Sequence, residues 1–335
     1  MGGRRPGLLR EEERLRAVVR SALVTGHAGF LGRHFVRRLL ADGWAVYGVD
    51  IANGPGEDCR KLFATSDERY DLAVHCAAVV GGRQTIEGEP MAVATDFSID
   101  SDYFQWCLRT RPRRAVYFSS SAAYPVDLQA EGSRHRLTEA DIDLSAPRLP
   151  DAVYGWCKLT GEMQAQLVRA EGVPITVLRP LSGYGQDQDP TYPFRAFIDR
   201  ALARSDPFDV WGDGQQVRDF IHVQDVVAGT LAAVEADVDV VNLCTGIPTS
   251  FVDLAELVCA SARYVPELAF VRDAPVGVRF RVGDPTLLRT FYEPKVTLEE
   301  GVARSLAARL APTSSARPSA ATTPGRSPSP SWSGR

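Results

Sequence analysis

Tyr154 and Lys158 stand four residues apart in the stretch YGWCK. On a helix, residues at i and i+4 share a face, so a phenol and an ammonium would lie side by side. A phenol ionises near ~10 when unperturbed, and an adjacent cation favours the ionised form. Such a pair can take a proton from a substrate hydroxyl near neutral pH. The pentapeptide alone is equally consistent with two ordinary helical residues, so its surroundings decide.

A second chemical signal is TGHAGFLG, with Gly26, Gly29 and Gly32 spaced G-x-x-G-x-x-G. The spacing differs from the G-x-G-x-x-G dinucleotide fingerprint, but the requirement is similar. A strand must turn sharply into a helix, and the first helical N–H groups must approach a pyrophosphate with no Cβ between them. Asp50 ends the next apolar run, WAVYGVD, where a carboxylate accepts hydrogen bonds from the adenosine ribose and repels a 2′-phosphate. No arginine follows it in VDIANG, so the expected cofactor is NAD rather than NADP.

These residues need a scaffold, and the hydrophobic pattern supplies one. SALVTG (21–26) reads as a strand, followed by helical spacing of Phe30, Leu31, Phe35, Val36, Leu39 and Leu40 and a stop at Gly43. WAVYGVD completes a βαβ unit. DLAVHCAA (71–78), RAVYFSSSAAY (114–124) and PITVLRP (174–180) are further apolar runs, as expected of parallel strands buried on both faces. The expected fold is therefore α/β: a Rossmann-type doubly wound parallel sheet with a smaller C-terminal substrate-binding lobe. The NAD-binding part spans 21–185 and the lobe mainly 186–310. RDFIHVQDVVAGTLAAV and DVVNLCTG, near 219–246, look like a return to the main sheet and its flanking helix. Residues 1–20 form a charged N-terminal extension, read as a short surface helix. Residues 311–335, rich in Ser, Pro, Thr, Ala and Arg without apolar period, read as a disordered tail.

Bulk properties fit a globular enzyme. The 335 residues are 44% hydrophobic and 24% charged with net charge −4, which does not suggest a nucleic acid or anionic membrane as partner. No run of 18 apolar residues marks a membrane span. Lysine is rare, with three (Lys61, Lys158, Lys295) against 35 arginines. The six cysteines show no metal-ligand spacing and several lie in apolar runs, so the reading is a reduced, cytoplasmic protein without disulfides or a metal.

Taken in order, TGHAGFLG, DLAVHCAA, SSSAAY, Tyr154 with Lys158, VLRPLSGYG, WGDGQQVRDFIHVQD, NLCTG, RVGD and YEPKVTLEEGV resemble the extended short-chain dehydrogenase/reductases, specifically the nucleotide-sugar epimerases and dehydratases. The resemblance runs from about Ser21 to Leu310. It implies that Ser120 joins Tyr154 and Lys158 in catalysis, its hydroxyl bonding the reacting sugar oxygen, and that Tyr154 and Lys158 also meet the cofactor, Lys158 at the nicotinamide ribose. It implies cofactor contacts at Gly26, Ala28, Gly29, Phe30, Leu31, Gly32, Asp50, Asp58, Cys59, Cys76, Ala77, Ala78, Ser119, Pro180 and Leu181, with Asp58 and Cys59 bordering the adenine. Only seven residues separate Asp50 from Asp58, so the strand usual between them is shortened or missing. Ser120, Ser121, Ser182, Arg195, Arg218 and Arg281 are the implied substrate residues, the last two gripping a diphosphate. Arg195 either meets a uronate carboxylate or is a helix-surface charge. A homodimer through helices near 98–109 and 151–169 is a further implication.

The resemblance also frames the reaction. Dehydratases of the family carry an Asp-Glu pair after the catalytic Ser or Thr, where this chain has Ser121 and Ala122; the 3,5-epimerases carry a Cys, where it has Ala122. AAVVGG and the Tyr124-Pro125 pair do resemble the GDP-sugar enzymes. An enzyme without extra acids or bases can still remove and return one hydride. The expectation is therefore NAD-dependent C4 epimerisation of a nucleotide sugar, with a 4-ketoreductase or dehydratase as the alternative and a non-catalytic NAD(H) sensor as a third.

Overall fold

The computed structural model describes residues 19–310. The expected surface helix falls almost wholly, and the disordered tail wholly, outside the described residues. The chain runs β1 (Ser21–Thr25), α1 (Phe30–Ala41), β2 (Ala45–Val49), α2 (Cys59–Thr65), β3 (Leu72–His75), α3 (Arg83–Gly88), α4 (Pro90–Val93), α5 (Asp96–Thr110), β4 (Ala115–Phe118), α6 (Ala152–Ala170) and β5 (Ile175–Pro180). It continues through β6 (Ser182–Tyr184), α7 (Pro193–Leu202), β7 (Phe208–Trp211), β8 (Val217–His222), α8 (Val223–Glu235), β9 (Val240–Leu243), β10 (Pro248–Ser250), α9 (Phe251–Ser261), β11 (Leu268–Val271), β12 (Phe280–Arg281) and α10 (Leu298–Leu310).

Six strands form one parallel sheet in the order β2-β1-β3-β4-β5-β9. The continuous apolar strands follow from helices covering both faces. Within β1, Leu23 enters one core beside Tyr103 and Trp106, while Ala22 and Val24 enter the other beside Phe35 and Leu39. The chain steps outward from β1 to β2, then crosses back to β3 on the other side of β1. That reversal opens a crevice at the carboxyl ends of β1 and β3, where ligands bind in such sheets. Between Asp50 and Asp58 stand two single-turn segments, Ile51–Asn53 and Pro55–Glu57, and no strand. The short spacing had implied this.

The second lobe differs from expectation in one element. β9 and α8 do rejoin the main layer, but β8 does not. It pairs with β6, β10 and β12 in a separate four-stranded sheet. The cause is β6, which continues from β5 beyond Leu181 and gives β8 a parallel partner away from the main sheet. A buried apolar strand reads alike in either sheet, so the pattern could not choose. Behind this sheet a third core gathers Tyr184, Phe194, Phe197, Ile198, Phe208, Val210, Phe251, Leu254 and Val302. No helix among the described residues is long and apolar enough to cross a membrane.

Candidate active site

The glycine loop is built by close approach. Gly26 sits at φ +66°, and a Cβ there would lie 2.7 Å from the Ala77 nitrogen; one at Gly32 would lie 2.1 Å from the Gly26 carbonyl oxygen. Gly29 caps α1 and contributes no side-chain bond, so the first helical N–H groups are left for a ligand. Asp50, at the end of β2, takes hydrogen bonds from the Ala28 N–H at 2.9 Å and the Ala52 N–H at 2.8 Å. It braces the loop as well as facing the cavity. Asp58 caps α2 and holds the Arg60 guanidinium at 2.6 Å, which keeps its carboxyl below the usual range. Burial pushes the Cys59 thiol up to about 12 and raises Cys76 too, so both are inert wall. A cradle closed to side chains, at an uncapped helix start, fits a dinucleotide pyrophosphate.

Ser120 follows β4 and caps a single turn, Ser121–Ala123, accepting the Ala122 N–H at 3.1 Å. α6 brings Tyr154 and Lys158 to face it. Lys158 Nζ lies 5.7 Å from the Tyr154 ring centre and 3.5 Å from Asp100 Oδ2, with Lys158 and Asp100 both buried. Burial works against the Lys158 charge, but Asp100, Tyr154 and Asp96 outweigh it and hold the amine above its ordinary range. Tyr154 feels opposing influences. Burial raises its phenol, and although Lys158 and Ser120 pull it down, the balance stays above the ordinary value. An oxidised nicotinamide bound beside it would add a positive charge that favours the phenolate.

On the far side of the cavity, Arg281 of β12 stands in register with Arg218 of β8. Asp151, one turn before Tyr154, binds Arg281 at 2.8 Å and Arg83 at 2.8 Å. Among the described residues Arg218 donates only to the carbonyls of Val217 and Val276. Burial and the charges of Arg281 and Arg83 hold it down to about 9. A guanidinium keeps its proton at neutral pH, so an anion is what relieves this arrangement.

All the residues singled out from the sequence, from Gly26 to Arg281, line one cavity of about 1280 Å³, Ser119, Ser121, Ser182 and Arg195 among them. Over residues 22–244 the sequence matches the model of the NAD dependent epimerase/dehydratase family. The chain belongs to that family.

The relatives of this epimerase/dehydratase agree with that placement. A putative UDP-glucose 4-epimerase of Methanocaldococcus jannaschii is 26% identical over 302 residues, 84% of this chain and 96% of that protein. A dTDP-4-dehydro-6-deoxy-D-allose reductase of Streptomyces bikiniensis is 29% identical over 306 residues, 82% of this chain and 92% of its own. The UDP-glucose 4-epimerase of Thermotoga maritima, solved with UDP-glucose, superposes with a TM-score of 0.75 at 27% identity, covering 86% of this chain and 97% of that one. The protein is thus an NAD-dependent enzyme of the nucleotide-sugar epimerase/dehydratase family.

Several residues of this epimerase/dehydratase site were not found from sequence. Asp100 takes hydrogen bonds from Tyr117 at 2.5 Å and from His75 at 3.2 Å. Asp96, one turn earlier, accepts the Val79 N–H at 2.6 Å. Glu162, on α6 one turn beyond Lys158, accepts the Ser119 hydroxyl at 2.5 Å and pairs with buried Arg179 at 2.6 Å, fixing the serine loop from behind. Asp96 and Asp100 at i and i+4 gave no signal by themselves, since acids so spaced read as a solvated face until their burial is known. Arg195, for its part, is neither free nor on the surface. It lines the cavity with its guanidinium on Asp199 at 2.9 Å and on the Gln188 carbonyl at 2.9 Å.

Proposed function

We propose that this enzyme inverts C4 of a nucleotide sugar, with UDP-glucose/galactose and UDP-glucuronate/galacturonate as the leading pairs, through a transient 4-keto sugar. The observation that carries the reading is Ser120, Tyr154 and Lys158 meeting in one cavity while Ser121 and Ala122 offer no acid or base for a second reaction. Bound NAD supplies the hydride acceptor and donor. Tyr154 Oη takes the C4 hydroxyl proton and later returns it. Ser120 hydrogen-bonds the same oxygen, and Lys158 favours the phenolate. Arg218 and Arg281 hold the diphosphate, and Gly26, Gly29, Gly32 and Asp50 hold the cofactor. The named activities of the Methanocaldococcus and Thermotoga relatives support the choice. Because Asp199 and Gln188 already occupy Arg195, the pocket suits a neutral sugar better than a uronate.

A 4-ketoreductase is the second reading, supported by the Streptomyces relative. One experiment separates the two. A UDP-sugar deuterated at C4 is incubated with the NAD-loaded enzyme in water and followed by NMR. Epimerisation gives a C4 epimer that keeps its deuterium. Solvent hydrogen at C3, C5 or C6 indicates epimerisation at another centre or dehydration; no epimer from the UDP-sugar, together with reduction of a 4-keto nucleotide sugar at the expense of added reduced cofactor, indicates the reductase. The six free cysteines suit the cytoplasm as compartment. A homodimer is proposed through α5 and α6, whose outer faces expose Phe97, Trp156, Met163 and Leu167.

A further inference from the structure

Asp96 and Asp100 lie on α5 against the catalytic pair, and the mechanism above leaves them unused. We propose that these two carboxylates are positioning residues for the redox state of the cofactor: they give the Lys158 pocket a net negative charge that favours the oxidised, cationic nicotinamide over the neutral reduced one. The inference rests on the NAD part of the proposed function and not on C4 epimerisation.

The charges that face the pair can be counted element by element. From α6 come Tyr154, Cys157 and Lys158; from β3, His75, with Cys76 just after it; from β4, Tyr117. Lys158 is the only cation among these. Asp100 is ionised, because Lys158 and the bonds from His75 and Tyr117 outweigh the burial that opposes its charge. His75 Nε2 therefore donates to Asp100. Its Nδ1 must then accept from the Thr25 hydroxyl at 2.7 Å, which in turn accepts the Ala77 N–H at 3.2 Å. That arrangement is a neutral imidazole, and burial lowers the His75 basicity accordingly. Burial raises Asp96 to about 6, which still leaves it ionised at neutral pH. One ammonium faces two carboxylates, with Asp96 at 0% and Asp100 at 1% exposure and so with little solvent to screen them.

Two observations indicate what the surplus charge serves. Asp96 Oδ2 is buried and has no hydrogen-bond partner among the described residues, a costly state for a carboxylate unless a positive group approaches. Both acids also oppose ionisation of Tyr154, so they are not there to strengthen the base. Lys158 offsets one of the two charges; the other is left to assist a second cation, and the cation the site admits is the oxidised nicotinamide ring. A pocket of this sign disfavours accumulation of reduced cofactor and keeps the resting enzyme in its oxidised form.

The test equilibrates cofactor-loaded enzyme with a redox dye, without sugar, and reads bound NADH by its near-ultraviolet absorbance. Asp96→Asn and Asp100→Asn each remove one charge. The ratio of reduced to oxidised bound cofactor at a fixed dye potential should rise by about tenfold in each, the size expected of one charge roughly 10 Å away at an effective dielectric of ~20. Asp100→Asn also removes an ion-pair partner and can cost the fold. Asp96→Asn keeps the bond from Val79 and carries the test by itself. An unchanged ratio in folded Asp96→Asn overturns the inference and leaves a packing role. A parent protein that binds neither form of the cofactor overturns the NAD reading as well.

Discussion

Arg281 and Arg218 are register partners on adjacent parallel strands, and the nearby carboxylate, Asp151, bonds Arg281 and Arg83 but not Arg218. Two like charges in register repel unless something negative lies across them. Arg218→Ala should therefore weaken binding of UDP by about 10- to 100-fold, the worth of a charge-assisted bond. NAD affinity should hold. Arg218→Lys should recover only part of the loss, since an ammonium cannot reproduce the guanidinium fork. Calorimetry with UDP and with NAD measures both, and unchanged UDP affinity in Arg218→Ala would remove this residue from the substrate site.

Tyr154→Phe keeps the ring and removes the phenol. Turnover should fall by about 10²–10⁴-fold, the usual worth of a general base, with substrate affinity nearly unchanged. Lys158→Ala should lower turnover and NAD affinity together. Steady-state kinetics and a cofactor titration check the pair; a Tyr154→Phe enzyme at parental kcat rejects the assignment.

The cofactor edge should discriminate against NADP. Asp50 faces the cavity, and the nearby basic group, Arg60, is tied to Asp58 at 2.6 Å and is not free to receive a 2′-phosphate. NADP should bind at least about tenfold more weakly than NAD, by charge repulsion at the ribose. Asp50→Asn should narrow that gap. Equal affinities in the parent would contradict it.

Asp96 offers a stability test that needs no ligand. Its carboxyl is raised from 3.8 to about 6 by burial, so the folded chain holds a proton there more tightly than the unfolded chain. The stability it contributes is complete below its unfolded value and is lost as pH rises through about 6. Asp96→Asn has no proton to lose. Its stability relative to the parent should improve on going from about pH 4 to about pH 7, by up to roughly 3 kcal/mol. The comparison must be variant against parent, because His75 and His222, both lowered by burial, give the parent the opposite trend. Denaturant titrations at the two pH values suffice, and a difference that ignores pH counts against a buried titrating Asp96.

The proposed dimer can be broken from the surface. Met163 and Leu167 sit one turn apart on α6 and are exposed. Replacing both with Glu should turn a dimer into a folded monomer by light scattering. A monomeric parent rejects the interface.

What could be read in advance was what is local. The Gly26–Gly32 loop, the Tyr154/Lys158 spacing and the VRDF and RVGD arginines each occupy a few consecutive residues whose geometry follows from their order. Asp100 could not be read that way. Its meaning depends on His75, Tyr117 and Lys158, which come from three other elements, and an i, i+4 acid pair in a sequence reads as a solvated face. The sheet membership of β8 was likewise settled by a partner, β6, too short to register as a strand. The burial that opposes ionisation of Tyr154 could not be read either, because no spacing reveals it.

Asp219, fully buried beside Arg218, accepts N–H groups from Thr245 and Gly246 at 2.8 Å each and from Gly283 at 3.3 Å. One carboxylate thus fastens the β8 arginine to the loop after β9 and to the end of β12, which carries the other arginine. The two grips share a single post and cannot drift apart. The segment 186–197 across the cavity is fastened elsewhere, by Asp187 to His34 at 2.9 Å and by the Thr191 hydroxyl, which accepts the Gly82 N–H at 3.1 Å, so it can be altered without touching that post. The enzyme is built as a fixed jaw with an exchangeable liner, and a new sugar preference is to be sought by recutting the liner while the jaw is left alone.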